Sequence, residues 1–400
     1  MKSDHPISYR HHFATFLVLV SSLCVLCGKT SAQEFKTVHP GVEYALVRHK
    51  LGSDPVKINL LRLDLTKVRL DVHHAFDKAI GVEPTSAIAT RHGAVAAINA
   101  GFFRLDRSPF AGDAAGILVI DGKLWSESHN DRIAIRIRNG ARRTEVWFDH
   151  LGTQIQIATG SGVVQNVPVS GINRQRKASE IIAYTPEFGE RTLTDLLGAE
   201  VVFRNCTAAS ECRIQVIESG GNSVIPRDGF VMSVGPTGVE DAARLLKRLK
   251  EPDASKTGAK LLTEFNGRPQ FRLTPADDIT NGVPRLIKNG KIDITWEQEK
   301  AARSFVETRH PRTAVAKLKD GKFLMMTVDG RQPGVSVGMN LQELADYLLS
   351  LGAIDAMNLD GGGSTTLFLD GRVVNTPSDK EGERKVRDAI LVTLRKNARR

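Results

Sequence analysis

No period of about twenty to fifty residues repeats in the 400-residue chain, and no low-complexity tract occurs beyond its N-terminus. A solenoid, a propeller and a chain disordered throughout are thereby disfavoured. Lys plus Arg total 55 against 45 Asp plus Glu, but the surplus is scattered and forms no basic stripe, so no nucleic-acid partner is expected. The net +10 implies at most a mild preference for anionic partners and otherwise serves solubility. No run of apolar residues is long enough for a comfortable membrane span, which argues against a many-pass membrane protein. What remains, at 41% hydrophobic and 25% charged, is the composition of a globular chain that can bury a core.

Near the N-terminus, Arg10, His11 and His12 precede an apolar run over residues 13–26, followed by Gly28, Lys29, Thr30, Ser31 and Ala32. This order reads as a signal peptide over residues 1–32, cut before Gln33, and places the mature protein in a secreted or periplasmic setting. Cys27 leaves a lipoprotein anchor as an alternative, although Cys24, Val25 and Leu26 lack the small residues such processing favours; an uncleaved anchor is the other. No membrane span is expected after processing. Of the four cysteines only Cys206 and Cys212 would survive cleavage, and an oxidising compartment favours a disulfide between them across a short loop. Two free thiols are the alternative, and the pair is too isolated for a metal site.

Short Val- and Ile-rich segments punctuated by Asp-Gly, Asn-Gly and Pro turns predict strands at 44–48, 57–64, 69–73, 94–99, 117–120, 132–138, 145–148, 162–169, 181–184, 200–204 and 213–218. Helical patterns are few: 84–91, 239–249 and 341–351. The last has Asn340 as N-cap, Glu343 three residues on and Gly352 at the C-terminal glycine position. Residues 250–260 are polar and read as a surface loop. These elements predict an α+β fold, a sheet-rich mixed β domain with a few covering helices. A strand-rich portion over 33–90 would precede a catalytic domain over 91–395.

Polar residues converge between His310 and Asp388. Apolar strands at 313–318 and 323–328 flank Asp320-Gly321, which predicts a hairpin with a two-residue turn and sets Arg312 opposite Asp329. Strand, helix 341–351 and strand 354–359 predict a βαβ unit near the C-terminus, with Asp329 and Asp360 at one rim of a parallel pair. Asp360 opens the run Gly361, Gly362, Gly363 and Ser364, whose backbone N–H groups can approach an anion or sugar. It lacks the Lys and helix of a phosphate loop. Asn99 ends an apolar strand before Ala100, Gly101, Phe102 and Phe103. Asn99 either caps a turn or offers an amide to a ligand hydroxyl or phosphate, and the rings either fill the core or form a stacking wall.

In order, Ile98-Asn99-Ala100-Gly101-Phe102-Phe103, Arg309-His310-Pro311-Arg312-Thr313, Val328-Asp329-Gly330-Arg331 and Asn358-Leu359-Asp360-Gly361-Gly362-Gly363-Ser364-Thr365 resemble the phosphodiester glycosidase family, across roughly residues 90–395. The resemblance implies hydrolysis of a sugar-1-phosphodiester to free sugar and phosphomonoester; no cofactor and no metal site is expected, and metal dependence is left open. It suggests carbohydrate or exopolysaccharide metabolism and a phosphorylated glycan as substrate. Asp360 and Asp329 are then the catalytic carboxylates, with neither assigned as base or nucleophile. Arg312, Asn99, Gly101, Gly361, Gly362, Gly363, Ser364, Arg331 and His310 bind substrate. A purely structural reading pairs Arg312 with Asp329 and leaves Asp360 in a turn. Two rival functions are a non-catalytic binder of phosphorylated glycans and a metal-dependent phosphodiesterase that breaks P–O. The latter lacks visible ligand clusters, since His73 and His74 are adjacent on a predicted strand and point to opposite faces. Oligomeric state is left open.

Overall fold

The computed structural model describes residues 34–159, 165–206, 212–237, 258–266 and 272–395, together with Lys247. The signal-peptide segment, the helix expected at 239–249 apart from Lys247, and residues 250–257 of the expected loop lie outside these residues. Alternation decides the local structure. Val68–His74 is strictly buried at every second residue and half-exposed between, as a strand covered on one face requires. Phe323–Val328 is buried at all six positions because it lies in mid-sheet between two layers.

Four sheets result. The first is eight-stranded, in the order Lys36–His39, Val42–Leu51, Asp54–Leu63, Phe323–Val328, Arg312–Leu318, Ala353–Asn358, Arg285–Lys288 and Lys291–Ile292. The second has five strands: Arg372–Val373, Leu367–Leu369, Ala96–Asn99, Asp388–Leu394 and Val68–His74. A third, also of five, centres on Asp277–Asn281, and a fourth, of eight, carries Ala199–Arg204 and Cys212–Ser219 as an antiparallel pair joined by the Cys206–Cys212 disulfide. Leu61 and Val315 of the first sheet, Leu70 and Ile390 of the second and Ile135 of the third share one core. Residues 35–90 supply three adjoining strands of the first sheet, of which Asp54–Leu63 pairs with Phe323–Val328, and the edge strand Val68–His74 of the second, so the site below is built partly from them.

Two helices cover sheet faces. Helix α1 (Thr85–Arg91) packs Ile88 and Ala89 against Ala97, Ala389 and Leu391 of the second sheet. Helix α2 (Leu341–Ser350) carries the expected capping box: Glu343 N donates to Asn340 Oδ1 at 2.8 Å and Asn340 N to Glu343 Oε2 at 2.9 Å. It buries Leu341, Leu344, Ala345 and Leu348 against the first sheet. The strands before and after α2 run in the same direction but are not neighbours. Arg312–Leu318 lies between them and pairs antiparallel with both.

The hairpin register differs from expectation by one residue. Leu318 and Lys322 close a three-residue loop, with Gly321 N donating to Leu318 O at 3.0 Å and Gly321 in the left-handed region at φ +82°. A type I turn followed by a left-handed glycine adds one residue to the two-residue alternative. Arg312 therefore stands opposite Val328, not Asp329.

Candidate active site

That one-residue slip separates the two groups expected to pair, because neighbouring residues of a strand face opposite sides. Arg312 is buried, and its guanidinium donates Nε to Met339 O at 2.9 Å and Nη2 to Phe305 O at 2.8 Å and Thr308 O at 2.9 Å. Burial and the charge of Arg331 lower it to about 10. It is a strut for the chain entering α2, not a free anion ligand. Asp329 continues the ladder opposite Lys57: its N–H donates to Lys57 O, its carboxylate lies 3.2 Å from Lys57 Nζ, and both oxygens accept from Thr376 N at 3.1 Å. This carboxylate is fully buried and committed.

Asp360 is different. Its backbone is fixed from both sides, N–H to Ala100 O at 2.9 Å and C=O from Asn99 Nδ2 at 2.7 Å. Asn99 Oδ1 in turn accepts from Thr313 Oγ1 at 2.9 Å and Thr366 N at 3.0 Å. The Asn99 amide thus ties the first sheet, the second sheet and the glycine turn together. It positions Asp360, with its side-chain oxygen and nitrogen both engaged in these bonds. Burial raises the Asp360 carboxyl to about 6, against the opposing pull of the Ser364 hydroxyl, the Arg384 guanidinium and the Gly361 N–H.

Each glycine of the turn makes room for a particular neighbour. Gly361 lies against Pro311 O, Gly362 (φ +62°) lies under the Arg331 guanidinium, and a side chain at Gly363 would overlap the Arg384–Asp379 ion pair. Arg331 is exposed and forms no ion pair among the described residues; its Nη2 lies 3.5 Å from His310 Nδ1. Burial and the charges of Arg312 and Arg331 lower the His310 pKa, so its imidazole is neutral at pH 7. Arg331 occupies the place expected of Arg312.

Several residues here escaped the sequence reading. Arg387 is fully buried beside Gly101, where any side chain would overlap its guanidinium. Its Nη2 donates to Asn281 Oδ1 at 2.6 Å and Thr280 Oγ1 at 3.2 Å, its Nε lies 3.2 Å from Asp388, and its Nη1 has no hydrogen-bond partner among the described residues. Asp388 accepts from Gly101 N at 2.8 Å and Thr280 Oγ1 at 2.7 Å. The charge of Asp360 acts on both Arg387 and Arg132, and Arg132 lies 5.6 Å from the Phe102 ring centroid. Phe102 therefore stands near the centre, whereas Phe103 packs against the core under α1. The available signal was Arg387-Asp388, two charges opening the apolar run 389–392.

A cleft of about 470 Å³ runs alongside, lined by Arg104, Asp113, Gly116, Glu127, His129 and Arg174 among others. Gly116 abuts Asn281, and Asp113 acts on Arg387. Burial and the charge of Glu127 raise Asp113 to about 7.

Arg312→Met is expected to cost roughly 2–4 kcal/mol in urea unfolding, because each buried carbonyl left without a donor costs about 1–3 kcal/mol and removing a buried cation offsets part of that. Arg331→Met should leave the unfolding midpoint unchanged and raise KM for an anionic substrate about tenfold or more, as loss of one charge-assisted contact does.

An ionisable carboxyl set among arginines on a glycine turn has the chemistry to hold an anion and to exchange a proton. Comparison with known proteins relates that chemistry to a family. Residues 213–393 match the family model for phosphodiester glycosidase, a region that contains Asp360, the glycine turn, Arg331, Arg384 and Arg387. Through this region the chain resembles the phosphodiester glycosidase family. It is 36% identical over 114 residues to the N-acetylglucosamine-1-phosphodiester alpha-N-acetylglucosaminidase of Bos taurus and 34% identical over 114 residues to that of Homo sapiens. The matches span about a fifth of those relatives, 21% and 22% of their lengths. A Rickettsia conorii protein is 24% identical over 250 residues, covering 60% of this chain and 77% of its own. Two solved structures share the fold. One from Synechocystis has a TM-score of 0.71 at 22% identity, covering 91% of this chain and 64% of its own. One from Burkholderia pseudomallei has 0.70 at 23%, covering 85% and 74%.

Proposed function

We propose that this chain hydrolyses a sugar-1-phosphodiester, releasing the sugar and leaving a phosphomonoester. The observation that carries the reading is Asp360, raised to about 6 on a glycine turn between Arg331 and Arg384, with the unsatisfied Nη1 of buried Arg387 nearby. The match of residues 213–393 to the phosphodiester glycosidase model supports the reaction class. Arg331, Arg384 and Arg387 hold the phosphate as charge-assisted donors. Asp360, ionised at neutral pH, takes a proton from water as it attacks the anomeric carbon; the C–O bond breaks and the bridging oxygen leaves with the phosphate. A phosphomonoester, with a second pKa of about 6, leaves readily, so protonating it matters less than in ordinary glycoside cleavage. Asn99, Gly101 and Asp388 position these groups, and Asp329 with Lys57 holds the loop that carries Arg331. The natural substrate on this reading is a phosphorylated glycan.

The Cys206–Cys212 disulfide suits an oxidising compartment, which supports a secreted or periplasmic location. No helix among the described residues is long and apolar enough to cross a membrane.

Hydrolysis of a chromogenic sugar-1-phosphodiester in oxygen-18 water tests the proposal. Label entering the sugar supports C–O cleavage, label entering the phosphate would mean P–O cleavage, and retention of ligand without release would mean a binder.

A further inference from the structure

His73, Asp77 and His92 come from three different elements: the end of the Val68–His74 strand, the turn Ala75–Asp77 and the C-cap of α1. One donor atom from each lies within 4.8 Å of the other two. Donors at about 2.0–2.2 Å from one zinc-like ion fall within such a spacing. His92 Nε2 lies 3.0 Å from Asp77 Oδ1; the two imidazoles are stacked, centroids 3.6 Å apart and planes inclined by 21°, so one ring turns out of the stack when both nitrogens bind a common ion.

Three further features fit a cation. Asp71 and Asp121 add negative charge beside His73. Phe76 and Asp77 are both in the left-handed region, at φ 56° and 53°, so the turn is held in an unfavoured conformation that directs the carboxylate toward His92. Arg91 touches the Asp77 carboxylate only at 3.2 and 3.3 Å while making its short contact with Glu83, an outer contact that orients the ligand oxygen.

We infer that His73, His92 and Asp77 form a binding site for one divalent transition-metal ion of the zinc, cobalt or nickel class. Two imidazole nitrogens and one carboxylate oxygen select these borderline ions over magnesium or calcium, and water completes the sphere on the exposed side of Asp77. The site is separate from the hydrolytic centre. Asp388 pairs with His74 and Ala389 with His73, so the His73 side chain projects on the α1 face while Asp388 projects on the other. The two are coupled through backbone, since Ala75 N donates to Arg387 O at 2.6 Å. An ion here would pin the turn that holds Arg387.

The test is titration of the full chain, made without a histidine tag, with Co²⁺, followed by visible absorption and by the thermal unfolding midpoint. One equivalent is expected to give a d–d band and raise the midpoint. His92→Gln and Asp77→Asn should each weaken binding at least about tenfold, a typical minimum for loss of a ligand or its support. Asn tolerates the left-handed conformation at residue 77, so that variant folds even if the histidine variant does not. Absence of a band, or equal binding by wild type and both variants, would overturn the site; the latter would locate the ion elsewhere, for instance at His11 and His12.

Discussion

Asp360→Asn is expected to lower kcat/KM by at least about a hundredfold, the contribution typical of a positioned acid–base group, and to raise the unfolding midpoint at pH 7.5. The two effects have one cause. In the folded protein Asp360 titrates at about 6, above its ordinary 3.8, because burial penalises the charge. Between these values the folded state holds a proton that the unfolded state has released. Stability from this group is therefore fully present below about pH 4 and is lost as pH rises through 6. At pH 7.5 the ionised carboxylate is a cost to the fold that neutral Asn removes. Wild-type kcat/KM should rise with pH and level off above about 6, as a base that works ionised requires. Unfolding midpoints of the two proteins should converge near pH 4. Near-wild-type turnover in the Asn variant would remove Asp360 from the chemistry and leave it as a turn residue.

The contrast between Asp360 and Asp329 shows what a sequence conveys about this fold. Local alternation predicts most strands, and the pattern at Asn340, Glu343 and Gly352 predicts α2 with its capping box, because these depend on residues within a few positions of one another. The glycine turn is legible for the same reason. The hairpin is less so: whether Asp320-Gly321 forms a two- or three-residue loop depends on which residue takes the left-handed conformation, and one residue moves Arg312 to the far side of the sheet. Partners distant in the chain are not legible at all. Nothing near Asp329 announces that Lys57 and Thr376 occupy it, and nothing near Asn99 announces Thr313, Asp360 and Thr366. The same distance hides Arg387, whose surroundings come from Gly101, Thr280 and Asn281.

Arg387→Met is expected to cost about 3–5 kcal/mol, the usual penalty for removing one partner of a buried ion pair. Asp388, Thr280 and Asn281, all buried, would each lose a contact. A protein that loses this much is a poor test of function, because total stability is itself only about 5–15 kcal/mol. The double variant Arg387→Met/Asp388→Asn separates the roles. With both charges gone no ion is stranded, and Asn at 388 still offers an oxygen to Gly101 N, the bond that holds the strand end carrying Gly101 against the centre. Urea unfolding should show most of the lost stability restored, to within about 2 kcal/mol of wild type, as neutral replacement of buried pairs often does. Activity should stay at least about a hundredfold down, since a preorganised donor to developing or transferred charge is worth about 10²–10³ in rate. If the double variant is both stable and active, the unsatisfied Nη1 of Arg387 meets no substrate, and the phosphate rests on Arg331 and Arg384 alone.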